Sequence, residues 1–193
     1  MHELIKRFIG PWVGHTETSW TRVVMNRTTL EWVRGLQPEQ RDALEISGEY
    51  WQNKVPFRSY RSAWYPEFDV CSKPLPESFD LIIAEQVFEH LTHPARAARH
   101  VYQMLRAGGY FLLTTPFLLK IHASPTDCTR WTPQGLAYFL EDAGFSRDKI
   151  RVDSWGNRAC VKAAFRGANY CRRIHSLKNE PDFQLSVWAL AQK

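Results

Sequence analysis

The chain has 193 residues, 44% of them hydrophobic and 23% charged, with a formal net charge of +5. That balance suits one folded domain with a sizeable core and excludes a disordered or low-complexity chain. Part of the positive excess sits in "RGANYCRRIHSLK", Arg166 to Lys178. This reads first as a solvated basic loop and second as a place for an anionic substrate or surface. Nucleic acid is not an expected partner, because no recognised binding motif accompanies the charge.

The four cysteines, Cys71, Cys128, Cys160 and Cys171, form no CxxC pair and no zinc spacing. No metal site is expected, and reduced thiols in a cytoplasmic protein are the default. The opening "MHELIKRFIG" lacks a signal-like apolar run. The most apolar stretch, Tyr110 to Leu119, is too short to span a bilayer.

Residues 1–40 read as a helical cap carrying Trp12, Trp20 and Trp32, in two pieces separated near Pro11 and Gly14. Gly35 and Pro38 end it. "ALEIS" from Ala43 is a strand candidate with Ser47-Gly48 as a tight turn, and "FRSYRSAW" is a weaker strand. "FDLIIAEQ", Phe79 to Gln86, is a continuous apolar strand of the kind buried on both faces of a parallel sheet. After Pro94 a helix presents Ala98, Val101, Tyr102 and Leu105 on one face, and Gly108-Gly109 is expected to stop it. "YFLLTT" is the next buried strand. Thr132 reads as an N-cap with Pro133 at the first helical position, and Gly144 closes that helix. "KIRVDSW" and "FQLSVWALAQ" are two late strands, with an irregular basic insertion around 157–180 between them. Alternating strands and helices predict a mostly parallel sheet covered on both faces, with an antiparallel pair at one edge.

Several motifs in order resemble the class I S-adenosylmethionine-dependent methyltransferases, in particular the small-molecule "type 11" group. "FDLIIAEQVFEHLTHP" resembles that family's fourth strand and following turn, and "MLRAGGYFLLTTP" its glycine turn and fifth strand. His122, Pro125, Asp127, Arg130-Trp131-Thr132 and Ala143-Gly144-Phe145 resemble the loop and helix beyond. The resemblance runs from about Asp42 to Phe145. It implies a single Rossmann-like α/β domain over 1–193, with 41–193 as the core.

The first family motif departs from the pattern. Glu45 holds the place of the acid and Gly48 supplies one glycine, but Ser47, Tyr50 and Trp51 stand where other turn residues are expected. The interval to Phe57 is short for a parallel crossover carrying a helix. The acid that grips the donor's ribose should fall near Ser62 or Ala63, where there is none.

What the resemblance implies is methyl transfer from S-adenosylmethionine to an oxygen or nitrogen of a small molecule. Glu45, Ser47, Gly48, Asp69, Val70, Glu85 and Gln86 would touch the donor. His90, His122 and Asp127 would face the acceptor, with His90 the first candidate base because imidazole titrates near neutrality. Glu89-His90 has a plainer reading as residues that order a turn, and Asp127 and Arg130 as a pair that holds a loop. The alternative is a catalytically inactive, methyltransferase-like binding module or partner subunit, in a homo- or hetero-oligomer.

Overall fold

The computed structural model describes residues 20–123, 125–166 and 176–193. Trp12, the break near Pro11 and Gly14, Cys171 and most of the basic stretch after Arg166 lie outside them. The strands are β1 (Asp42–Ile46), β2 (Ser59–Ala63), β3 (Phe79–Glu85), β4 (Leu105–Pro116), β5 (Ile150–Trp155) and β6 (Ser186–Gln192). The helices are α1 (Trp20–Arg34), α2 (Pro94–Met104), α3 (Pro133–Asp142) and α4 (Arg158–Phe165).

The strands form one sheet in the order β2-β1-β3-β4-β6-β5. β1 pairs in parallel with β2 and β3, and β3 in parallel with β4. β6 runs antiparallel to both β4 and β5. The mostly parallel sheet with an antiparallel edge is therefore as the alternation of elements predicts. Its central strands are buried on both sides. Leu44, Ile82, Phe111 and Leu113 face a layer containing Val101 of α2 and Leu140 of α3. Ala43, Leu81, Ile83 and Leu112 face Val24, Met25 and Val33 of α1.

The crossover from β1 to β2 contains no α-helix. A short 3₁₀ turn, Trp51–Asn53, stands in its place, and Trp51 is fully buried. One large side chain thus fills space that a crossover helix would cover. This is how so short a connection still returns β2 parallel to β1, in register from Asp42 opposite Ser59 to Ile46 opposite Ala63.

Thr132 caps α3 by accepting from Gly135 N at 3.0 Å, with Pro133 following it. Gly144 takes φ +116 just past the helix end. Two expectations need correction. α2 ends at Met104, before the glycines, and Leu105 already opens β4. Gly109 serves another purpose: a Cβ there would lie 2.9 Å from Arg106 O and 3.2 Å from Phe79 O, where the β3–β4 register shifts. The insertion after β5 is also not wholly irregular. Asn157 accepts from Cys160 N at 2.9 Å and starts α4.

Candidate active site at the carboxyl ends of the strands

In an open α/β sheet, ligands bind beyond the carboxyl ends of the strands. The turn after β1 is built around Glu45, which is 1% exposed. Its carboxylate accepts from Tyr50 N at 3.2 Å, Trp51 N at 2.9 Å and the Tyr60 hydroxyl at 2.6 Å. Ser47 adopts φ +55, the left-handed conformation that glycine takes without strain. Its N–H donates to Ala63 O at 2.8 Å, and Ser62 Oγ donates to Gly48 O at 2.5 Å. A Cβ on Gly48 would come within 2.2 Å of Glu45 Oε1. Glycine is required here by the chain's own acid.

Glu85 ends β3 and accepts from the Trp51 indole at 3.1 Å and from Arg22 of α1 at 3.2 Å. Burial pushes its carboxyl group upward, and Arg22 offsets part of that. Gln86 follows in the left-handed region at φ +57, with its N–H on Thr114 O at 3.0 Å. Asp69 accepts from Cys71 N at 2.8 Å, and Val70 O receives His100 Nδ1 at 2.7 Å. These last two residues thus order the segment between β2 and β3. A cavity of about 340 Å³ beside the end of β2 is lined by Ser62, Trp64, Glu67 and Phe68 among others. Since Ser62 also holds Gly48 O, this cavity adjoins the β1 turn.

The turn after β3 and the loop after β4 meet. The His90 and His122 rings lie edge to face with centroids 5.2 Å apart. His90 Nδ1 contacts Thr126 O, the Thr126 hydroxyl donates to His90 O at 2.7 Å, and Cys128 N donates to Glu89 O at 2.7 Å. Asp127 accepts from His122 N at 2.9 Å and holds both terminal nitrogens of Arg130. The guanidinium keeps the Asp127 carboxyl below the usual carboxylate range. Beside this loop is a cavity of about 190 Å³, lined by Leu119, Ile121, Asp127, Cys128, Thr129 and Arg130. Both plainer readings therefore describe real contacts: Glu89 ties the turn through its backbone, and Asp127 pairs with Arg130.

The sequence candidates His90, His122 and Asp127 come together, and Glu45, Ser47 and Gly48 share one turn linked by Trp51 to Glu85. Asp69 and Val70 are engaged locally with Cys71 and His100. The residue missed by sequence reasoning is the Glu89 side chain, 1% exposed and pushed up to about 7 by burial. No signal in its immediate neighbours marks it as buried, because the loop after β4 folds back onto this turn from far along the chain. Among the described residues no cluster of three or more His, Cys, Asp or Glu could hold a metal, and no helix is long and apolar enough to cross a membrane.

Comparison with known proteins identifies the class. A family model described as "Methyltransferase domain" matches residues 21–149, and the chain belongs to that family. A Mycolicibacterium smegmatis protein, named a probable S-adenosylmethionine-dependent methyltransferase, is 35% identical over 97 residues. That match covers 43% of this chain and only 37% of the relative's length. The fold is shared with an S-adenosylmethionine-dependent methyltransferase of Clostridium acetobutylicum, at TM-score 0.59 and 10% identity over 99% of this chain and 96% of that one. It is shared also with one from Thermotoga maritima, at TM-score 0.57 and 15% identity over 100% of both chains.

The methyl donor that goes with this family is S-adenosylmethionine. The β1 turn keeps a glycine-like backbone at Ser47, while the space that a side chain on Gly48 would fill is taken by the Glu45 carboxylate. The end of β2 departs, because Ser62 and Ala63, where the family's ribose-binding acid is expected, carry no carboxylate.

Proposed function

We propose that the chain transfers a methyl group from S-adenosylmethionine to an oxygen or nitrogen of a small molecule. The observation that carries this reading is the state of His90. A carbonyl oxygen only accepts, so the Nδ1 that meets Thr126 O carries the hydrogen, and Nε2 is left basic in the neutral ring. That atom lies beyond the end of β3, beside the loop that lines the 190 Å³ cavity.

The backbone of Ser47-Gly48 would hold the donor's amino-acid end, with Gln86 and Glu85 bordering it. The 340 Å³ cavity would take the nucleoside, with Trp64 as a stacking face, and Asp69 and Val70 would order the segment that follows its lining residue Phe68. When bound, the donor supplies an electrophilic methyl group on a sulfonium. The protein's part is to hold the acceptor in line, exclude water and receive a proton. His90 takes that proton. Asp127 and Arg130 fix the loop, and with it His122.

One observation favours the second reading, a binding module without catalysis. The Glu45 carboxylate is fully engaged by Tyr50, Trp51 and Tyr60, and β2 ends without an acid. Transfer from isotope-labelled donor to a panel of hydroxyl- and amine-bearing small molecules separates the two. Turnover that His90→Ala lowers about a hundredfold or more, at unchanged donor affinity, supports methyl transfer. Donor binding with no transfer to any member of the panel supports the module.

A further inference from the structure

Glu89 differs from Glu45, the other fully buried acid, because its carboxyl group, although supported by its own backbone N–H, is left half unsatisfied. Its Oε2 has no hydrogen-bond partner among the described residues, and its Oε1 lies 3.6 Å from His90 Nε2. A buried carboxylate left in that condition is costly unless a proton or a cation comes to it. The charged groups facing it are His90 on its own turn, Arg130 from the loop after β4 and Arg22 from α1. Arg130 is forked onto Asp127 and Arg22 reaches Glu85, so neither hydrogen-bonds to it. Around the imidazole, the facing groups are Glu89, the ring of His122 and, through His122 N, Asp127.

With Nδ1 held by Thr126 O, Nε2 is the only ring atom free to gain a proton, and it is the atom next to Glu89. At 3.6 Å the contact is longer than a hydrogen bond, so Glu89 does not close Nε2 off. The His90 side chain is 18% exposed while Glu89 is 1% exposed, which puts the imidazole on the outside and the carboxylate behind it.

We infer that Glu89 and His90 form one proton-accepting unit, in which the acceptor's proton arrives at His90 Nε2 and is shared with the carboxyl group behind it. The use of the unit rests on the methyl-transfer reading. The reaction-ready form has Glu89 ionised and His90 neutral. As the acceptor atom gains its methyl group, its proton passes to Nε2, the Glu89 carboxylate balances the charge formed there, and the proton later leaves to solvent. Glu89 is a positioning residue and His90 the catalytic one. The upward push on Glu89, to about 7, suits a group that holds a proton near neutrality and releases it again.

Nuclear magnetic resonance of the whole chain tests this without donor or acceptor, by following carboxyl carbon and imidazole nitrogen signals against pH. The expected result is a hydrogen on Nδ1 of neutral His90, and a Glu89 carboxyl signal that titrates well above the ordinary glutamate range, near 7. His90→Gln should raise the Glu89 midpoint by about one pH unit or more, because the imidazole pulls it down. If His90→Gln loses its fold, His90→Asn makes the same comparison. A Glu89 signal in the ordinary glutamate range, a hydrogen on Nε2 in neutral His90, or a Glu89 midpoint indifferent to replacement of His90 would overturn the unit. Such a result leaves donor binding untouched, and a failure to bind donor leaves the titration readable.

Discussion

The indole nitrogen of Trp51 donates to Glu85 Oε2 over 3.1 Å, joining the crossover after β1 to the carboxyl end of β3. Trp51 also gives its backbone N–H to Glu45, so one residue braces both acids at the site. It is fully buried in the layer beneath α1. Trp51→Ala should therefore destabilise the chain by about 3–5 kcal/mol in denaturant unfolding. Trp51→Phe should cost less, about 1–3 kcal/mol, since it keeps much of the packing and removes one donor from Glu85. Equal stability of both variants and wild type would mean the crossover does not depend on this side chain.

The turn after β1 gives opposite expectations at adjacent positions. Gly48→Ala places a methyl group against Glu45 Oε1 and should cost about 1–3 kcal/mol. Ser47→Gly removes left-handed strain and should stabilise by up to about 1 kcal/mol, without loss of donor affinity. Thermal unfolding of the two variants checks both signs.

Much of this architecture is legible in the sequence. The unbroken apolar run of β3 and the Thr132-Pro133 start of α3 are local signals, and local physics decides them. β2 is only weakly visible because it is an edge strand whose residues alternate between exposure and partial burial. The end of α2 is misjudged because tertiary pairing of Leu105 with Phe79 overrides the glycines as a stop signal. Glu89 cannot be read as buried from its neighbours alone. Its cover comes from Thr126 to Arg130, which arrive only when the loop after β4 folds back onto the turn. Ser47 likewise looks like a lost glycine until its backbone angle is known.

Glu89 also carries a stability signature. Its carboxyl group moves from 4.5 to about 7 on folding, chiefly through burial. Between those values the folded chain binds more protons than the unfolded one, so stability falls as pH rises through that window. The penalty is absent below about pH 4.5 and complete above about pH 7. Glu89→Gln should thus be close to neutral at acid pH and more stable than wild type at pH 8, by on the order of 2–3 kcal/mol. Urea unfolding at the two pH values reads this directly, and a difference independent of pH would mean Glu89 ionises in the fold as freely as in water.

Asp127 holds the loop through Arg130 and His122 N. Asp127→Asn removes the charge that matches Arg130 and should loosen the placement of His122. Donor affinity should stay unchanged while acceptor turnover falls about tenfold or more, because small misplacements at a reacting centre are costly. The same pairing weakens in acid: the Asp127 carboxyl is held low by Arg130, so its contribution is present at neutral pH and lost only as pH falls through that lowered value. A variant with full turnover would make the Asp127–Arg130 pair irrelevant to the acceptor.

The turn built by Glu45, Ser47, Gly48 and Trp51 should be a working donor site. Calorimetric titration of the folded chain with S-adenosylmethionine, and separately with its demethylated product, tests it most directly. The expected result is a single site with a dissociation constant on the order of micromolar for either compound, weakened by Gly48→Ala. No heat from either compound, with a chain that unfolds cooperatively, would contradict it.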